Sequence, residues 1–148
     1  MGFFTDKVVV VVGGGSGIGR ACSRAYAREG ARVHVIDLHE ERARAVAVEI
    51  QTEGGRAVYH AADCACAEDM TALAEDIFRT SGRVDLLQNG AGILIAAPAE
   101  RIPLEDWRRS VDVNLFGAIH GIHAFLPRML QQGSGGQIVN ISSLAGLV

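Results

Sequence analysis

The sequence VVVVVGGGSGIG occupies residues 8–19. Its valine run, 8–12, has no polar alternation, which is typical of a strand whose two faces are both buried in a parallel sheet. The glycines after it predict a turn, followed by a helix that ends near Gly30. The apolar residues at helical spacing in this helix are Ile18, Ala21, Cys22 and Ala25. Residues 8–30 therefore predict a strand, a glycine turn and a helix, the start of a βαβ unit.

The same alternation of strand and helix continues along the chain. Further strands are predicted at residues 32–37, 56–61, 84–88 and 137–141. The first two helices between them have apolar stripes at Ala43, Val46, Ala47 and Ile50, and at Met70, Leu73, Ala74 and Ile77. A short helix near 104–111 is followed by a long one, about 114–131, with an apolar face of Leu115, Ile119, Ile122, Leu126 and Met129. This order predicts right-handed crossovers and an α/β fold with a doubly wound parallel sheet of about five strands.

Composition and charge limit the kinds of partner. The chain has 148 residues, 49% hydrophobic and 21% charged, so we expect a single packed domain over residues 1–148. A net charge of −3 offers no basic field for nucleic acid. We find no apolar stretch long enough to span a membrane and no export or lipid signal, and therefore expect a cytoplasmic protein with no membrane partner. The three cysteines lack metal-binding spacing, which indicates reduced thiols, and no metal site is predicted.

The glycine turn is a candidate phosphate-binding site. With no side chains at Gly13 and Gly17, the backbone can turn tightly, and a pyrophosphate can approach the free N–H groups and the positive end of the helix. Gly19 lets that helix pack close to the sheet. Glycine turns also end strands for structural reasons alone, so this interpretation depends on the residue at the end of the second strand.

Asp37 closes the second predicted strand, roughly 20 residues after Gly19, where an acidic residue accepts hydrogen bonds from an adenosine ribose. The alternative is a carboxylate that only caps the strand end or the next helix. A ribose 2′-phosphate would be repelled by this carboxylate, and neither Ser16 nor Leu38 offers a compensating cation. We therefore expect NAD to be preferred over NADP.

Further motifs lie along the chain in a recognisable order. Asp63 comes after the third predicted strand, and residues 89–92 read NGAG, residues 110–117 SVDVNLFG and residues 136–143 GQIVNISS. Together with the glycine turn and Asp37, they resemble the short-chain dehydrogenase/reductase family along the whole chain. The resemblance implies a Rossmann-like, three-layer α/β/α fold with strand order 3-2-1-4-5. It also implies hydride transfer between an alcohol or carbonyl substrate and the nicotinamide of NAD.

The resemblance implies a role for each matched residue. The residues expected to bind the coenzyme are Gly13, Ser16, Gly17, Ile18, Gly19, Asp37, Leu38, Asp63, Cys64, Asn89, Ala91 and Gly92. Among them, Asp63 would hydrogen-bond the adenine. As catalytic residues, Ser143 would orient the substrate oxygen, and Asn114 would hold a water in the proton relay. Simpler alternatives are a turn residue for Asp63, a loop cap for Ser143 and a helix N-cap for Asn114.

The chain departs from the family pattern at three places. Val12 replaces the motif threonine and Gly90 the second asparagine of NNAG, so we expect looser loops there and weaker coenzyme binding. The family's catalytic Tyr and Lys belong to a YxxxK motif that would lie beyond Val148. We therefore interpret the chain as the N-terminal part of a dehydrogenase, incomplete relative to the family and inactive on its own, with its last strand an exposed apolar edge. The alternatives are a non-catalytic NAD-binding module and an inactive fragment.

Other residues are interpreted more simply. In the family the long helix contributes to a dimer interface, so a full-length protein is expected to be a homo-oligomer with Phe116, Phe125 and Leu126 near a second subunit. His120 and His123 are interpreted as packing residues. The pair Arg108 and Arg109 is assigned to a solvated helix face. The sequence does not identify the substrate.

Overall fold

The structure is a computed structural model that describes residues 2–144. The strands are β1 Val8–Val12, β2 Arg32–Asp37, β3 Arg56–Ala61, β4 Leu86–Asn89 and β5 Gln137–Asn140. The helices are α1 Gly17–Arg28, α2 Glu40–Thr52, α3 Ala67–Ser81, α4 Leu104–Val111 and α5 Gly117–Gln131. A 3₁₀ turn, Ala99–Arg101, precedes α4, and a π-helical turn, Asp112–Phe116, joins α4 to α5. The predicted strands are confirmed, with β4 beginning at Leu86 rather than at residue 84.

The five strands form one parallel sheet in the order β3-β2-β1-β4-β5, which confirms the expected Rossmann-like topology. Val12 is paired with Ile36 of β2 and with Asn89 of β4, and Asn89 is paired with Asn140 of β5. The carboxyl ends of four strands are therefore level with one another. In a doubly wound sheet, ligands bind at this edge.

Both faces of β1 are covered, as the valine run predicted. Val8, Val10 and Val12 belong to a cluster that contains Phe125, Met129 and the apolar residues of α3. Val9 and Val11 belong to a second cluster on the opposite face, with the apolar residues of α2. The predicted stripes of α2 and α3 are all buried and are confirmed.

The start of β1 is held by Asp85, which directly precedes β4. One carboxylate oxygen of Asp85 accepts the N–H of Val8 at 2.9 Å, and the other lies 3.3 Å from Lys7 Nζ and also contacts Arg83. The Asp85 side chain is buried, so a charge-assisted hydrogen bond anchors the amino end of the central strand.

The predicted inner face of α1 is wrong. Ile18 is 64% exposed, and the buried residues of α1 are Gly19, Ser23 and Ala27. A Cβ at Gly19 would lie 2.0 Å from the carbonyl oxygen of Gly13, so the first turn of α1 lies too close to the glycine turn for a larger side chain. Small size, rather than apolar character, selects the inner face of this helix.

The predicted face of α5 is wrong in part, for the same reason. Met129 is buried as expected, but Leu115 and Ile119 are exposed by 55% and 43%. The buried residues of α5 repeat every fourth position: Gly117, Gly121, Phe125 and Met129. Phe125 is 0% exposed within the core, so its expected place at a subunit interface is also wrong.

None of the helices in the described range 2–144 is both long and apolar enough to cross a membrane.

Candidate functional site

The glycine turn brings the ends of β1 and β4 together. Gly13 has a φ of +78°, and a Cβ there would lie 2.7 Å from the backbone nitrogen of Ala91. The N–H of Gly90 donates to the carbonyl oxygen of Val12 at 3.0 Å. The two loops are therefore in backbone contact, at a distance that only glycine at position 13 permits.

The amino terminus of α1 opens onto free space. A Cβ at Gly17 would meet no atom within 4 Å, and Ser16, the N-cap residue, makes no side-chain cap hydrogen bond within the described chain. The first N–H groups of a helix have no acceptor inside the helix and lie at the positive end of its dipole. This arrangement fits a pyrophosphate, because an anion from outside satisfies these groups.

Asp37 lies at the carboxyl end of β2 and is 9% exposed. Its Oδ2 accepts the N–H of Gly15 at 3.1 Å, and its Oδ1 accepts the N–H of His39 at 3.0 Å. The alternative role as a capping carboxylate is therefore real, since Asp37 holds both neighbouring loops. Each oxygen of a carboxylate has a second acceptor site, so the same group can still accept a ribose hydroxyl.

Asp63 shapes the turn between β3 and α3. Its Oδ1 accepts the N–H of Ala65 at 2.9 Å, and its own N–H donates to Asp69 at 3.2 Å. Next to it, burial and the charge of Asp63 raise the pKa of the Cys64 thiol to about 11. Cys64 is therefore a neutral packing residue and not a nucleophile at physiological pH.

Asn89 ties β4 to β5. Its Nδ2 donates to Oδ1 of Asn140 at 2.8 Å, while its Oδ1 is buried, without a hydrogen-bond partner in the described chain. A Cβ at Gly121 would lie 2.2 Å from this Oδ1, so α5 is pressed against the amide. Sequence reasoning missed Asn140, whose signal is a second asparagine at the end of the neighbouring strand. The expected looseness at Val12 and Gly90 stays a prediction.

Asn114 and Ser143 lie at the same edge of the sheet. Asn114 is inside the π-helical turn, so its alternative role as a helix N-cap is wrong. Its side chain accepts the N–H of Ile93 at 2.8 Å and donates to the carbonyl oxygen of Ile93 at 2.9 Å. Asn114 thereby positions the loop after β4. Ser143 is exposed, three residues beyond the end of β5.

A cavity of about 740 Å³ lies over these loops. The predicted coenzyme residues that line it are Gly13, Ser16, Gly17, Ile18, Gly19, Asp37, Leu38, Asp63, Cys64, Ala91 and Gly92. Asn89 is the predicted coenzyme residue that does not, because it is buried beneath the cavity. Neither Asn114 nor Ser143 is among the lining residues.

Sequence reasoning missed several cations at this cavity. Arg42, in the first turn of α2, lines it, and the Arg42 Cβ is 2.9 Å from the place of a Gly15 Cβ. Arg42 makes no ion pair with any residue of the described range. Arg108 and Arg109 are exposed, as predicted, and they also line the cavity. The helical positions of these arginines place them there, although no motif marks them.

The two tyrosines and the single lysine lie away from the cavity. The hydroxyl of Tyr26 donates to Gln88 at 2.9 Å between α1 and β4, and Tyr59 is on the edge strand β3. Lys7 pairs with Asp85 at the amino end of β1. Within residues 2–144, therefore, no phenol or ammonium group lines this cavity.

The comparisons with known proteins agree with this geometry. Residues 7–148 match the short chain dehydrogenase family, and the chain belongs to it. It is 41% identical to D-threitol dehydrogenase of Mycolicibacterium smegmatis, over 96% of this chain and 54% of the relative. It is 40% identical to cyclohexanol dehydrogenase of an Acinetobacter species, over 98% of this chain and 58% of the relative. The chain thus spans about half the length of these relatives.

A solved structure shows the same likeness. The crystal structure of a metagenomic short-chain oxidoreductase in complex with NADP matches with a TM-score of 0.90 and 36% identity, over 97% of this chain and 65% of that chain.

Proposed function

We propose that this chain is the coenzyme-binding part of an NAD(H)-dependent oxidoreductase that acts on small alcohols or carbonyl compounds. The carrying observation is that the open amino terminus of α1 and the Asp37 carboxylate line one cavity at the carboxyl edge of the sheet. When bound, the coenzyme supplies the hydride acceptor or donor. The residues of this chain bind the coenzyme, orient it and discriminate between NAD and NADP.

Binding divides among three groups of residues. The first N–H groups of α1 hold the pyrophosphate, and Gly13 and Gly17 keep side chains away from it. Asp37 accepts hydrogen bonds from the adenosine ribose, and Asp63 and Cys64 flank the adenine. Each role uses a group that the structure leaves facing the cavity.

We further propose that NAD is preferred, although Arg42 opposes this preference. The Asp37 carboxylate is largely buried and held by two backbone N–H groups, so it cannot turn away from a 2′-phosphate. Arg42 is exposed, and solvent screens its attraction for the same phosphate. The fixed, desolvated charge should dominate over the mobile, hydrated one. A structural neighbour binds NADP, so the ratio of the two affinities has to be measured.

We propose catalytic roles for two residues of this chain in the complete enzyme. Asn114 orients the backbone at Ile93 and would hold a water of the proton relay, and Ser143 would orient the substrate oxygen. Because no Tyr or Lys of the described chain lines the cavity, we expect the 148-residue chain alone to bind coenzyme without turnover. That observation also favours a second candidate, a non-catalytic NAD-binding module.

The relatives named above are dehydrogenases of alcohols, which supports a small-molecule alcohol or carbonyl substrate. We also propose a cytoplasmic location, a single domain over residues 1–148 and a homo-oligomeric complete protein.

Calorimetric titration of the chain with NAD tests the coenzyme proposal, and saturable binding is the expected result. Absence of saturable heat would overturn it and favour an inactive fragment. Alcohol-dependent formation of NADH by the 148-residue chain would instead overturn the expectation of no turnover.

A further inference from the structure

His120 connects α5 to the turn that bears Asp63 and Cys64. Its Nδ1 lies 2.9 Å from the carbonyl oxygen of Cys64, and its ring lies 5.9 Å from that of Phe116, measured between centroids. The imidazole is partly buried, while His123, one turn further along α5, is exposed. His120 therefore has a specific backbone partner in the lining of the cavity.

The other hydrogen bonds of this turn are local or lead to β2. The N–H of Cys66 donates to the carbonyl oxygen of Asp63 at 3.0 Å, and the N–H of Ala62 donates to that of Asp37 at 3.1 Å. Within residues 2–144, His120 makes the one hydrogen bond that joins residues 62–66 to α5. Without it, packing alone would hold the turn against this helix.

The contact also relates the turn to the opposite wall of the cavity. The turn packs against the first residue of α5, since a Cβ at Gly117 would lie 2.9 Å from Sγ of Cys64. The π-helical turn that carries Asn114 ends directly before Gly117. One rigid helix thus contacts both Cys64 and, through Asn114, the loop at Ile93.

We propose that His120 is a positioning residue for the adenine end of the coenzyme site. Its Nδ1–H donates to the Cys64 carbonyl oxygen, which requires the tautomer or charged form with a proton on Nδ1. This hydrogen bond keeps residues 62–66, and with them the Asp63 carboxylate, in the place that the cavity requires. The expected effect of His120 on coenzyme binding rests on the proposed function. Its expected effect on the order of residues 62–66 does not.

The test compares three variants of the full chain. H120L removes the donor, H120N keeps an amide N–H at the place of Nδ1, and H123L is a matched control on the exposed part of the same helix. Amide hydrogen exchange of residues 62–66 is measured without ligand. We expect faster exchange in H120L, and exchange as in the parent for H120N and H123L. Should H120L not fold, H120A takes its place in the same comparison.

Titrations with AMP and with inorganic pyrophosphate separate positioning from general damage. We expect H120L to weaken AMP binding by about fivefold to tenfold, the worth of one hydrogen bond, and to leave pyrophosphate binding at α1 unchanged. H120N should restore AMP binding. Unchanged exchange of residues 62–66 in H120L, or no rescue by H120N, would overturn the proposal. If the parent chain binds neither AMP nor NAD, the proposed function fails, while the exchange experiment still decides the role of His120.

Discussion

The two sides of the sheet differ in how completely they are buried. β1 is buried along its whole length, and β2 at every residue except Arg32, with α2 supplying a continuous apolar stripe. On the other side, none of the residues Leu104–Val111 of α4 is buried, and the residues of β5 are exposed or half-buried. We call these the adenosine side (residues 8–61) and the nicotinamide side (residues 90–144). The difference indicates that β1 and β2 are covered on both faces, on one of them in part by Phe125 and Met129 of α5, while α4 presents apolar surface at Leu104 and Trp107.

The largest expected effect is at the tightest contact of the adenosine side. In Gly19→Ala the new Cβ would lie 2.0 Å from the carbonyl oxygen of Gly13, which is backbone and cannot move aside. We expect a loss of about 2–3 kcal/mol in the free energy of unfolding, measured by urea denaturation, and no detectable NAD binding.

The matched control is Gly92→Ala on the opposite loop. Its Cβ would lie 3.4 Å from Asn114 Oδ1, an ordinary contact, so stability should change by less than about 0.5 kcal/mol. Equal losses in the two variants would contradict the contrast between the two sides.

The next effect concerns the ribose. In Asp37→Asn an amide nitrogen replaces one of the two oxygens that accept the N–H groups of Gly15 and His39, and the charge that faces the cavity is lost. We expect NAD affinity to fall by about tenfold to a hundredfold and the ratio of NAD to NADP affinity to fall with it. Titration calorimetry with both coenzymes measures this. Glu40→Gln removes the same charge from an exposed position of α2 and should change neither affinity.

The buried histidine of β2 predicts a pH dependence. Burial, with the charges of His60 and Arg32, lowers the pKa of His34 to about 3 from 6.5, against the opposing effect of Asp76. Between these values the unfolded chain binds a proton that the folded chain does not, so stability is complete above pH 6.5 and is lost as the pH falls. In His34→Gln we expect the free energy of unfolding, measured with urea, to depend less on pH. Its slope in this range should fall by up to about 1.4 kcal/mol per pH unit.

His123→Gln is the control for that measurement, because His123 is exposed on α5. Its pH profile should match that of the parent chain. A parent profile identical to that of His34→Gln would show that His34 does not stay neutral in the fold.

The smallest expected effect concerns the contribution of Arg42 to NADP affinity. Arg42→Ala removes an exposed cation from the cavity, so NADP affinity should fall by about twofold to fivefold while NAD affinity stays the same. Arg44→Ala, exposed on α2 outside this cavity, should alter neither. An equal loss of both affinities in Arg42→Ala would mean that Arg42 does not act on a 2′-phosphate.

The strands could be predicted from the sequence because their signals are local. The valine run and the turns at Gly30 and Gly54-Gly55 mark strand boundaries without knowledge of any distant contact. The inner faces of α1 and α5 could not be predicted from the sequence. Their buried positions include glycine and serine at every fourth residue, and these residues do not form a recognisable apolar stripe. The structure shows that Gly19 and Gly117 face inward, because a Cβ at either position would lie within 3 Å of a neighbouring segment.

The candidate site divides in the same way. Gly13 and Asp37 directly follow or end predicted strands, so a parallel sheet necessarily brings them to one edge. The Asn89–Asn140 pair depends on the register of β4 against β5, and Arg42 depends on the direction in which α2 leaves β2. Neither relation can be predicted from the order of residues along the chain.

The valine run of β1 has a further consequence. Because all five side chains are identical, a shift of the strand by one residue would exchange one valine for another on each face, and the core would scarcely distinguish the two alignments. Contacts at the strand ends oppose such a shift, among them the Asp85 carboxylate at Val8 and the crowding of Gly13 against Gly19 and Ala91. The glycine turn, which is the candidate phosphate-binding site, thus also helps to fix the alignment of the central strand.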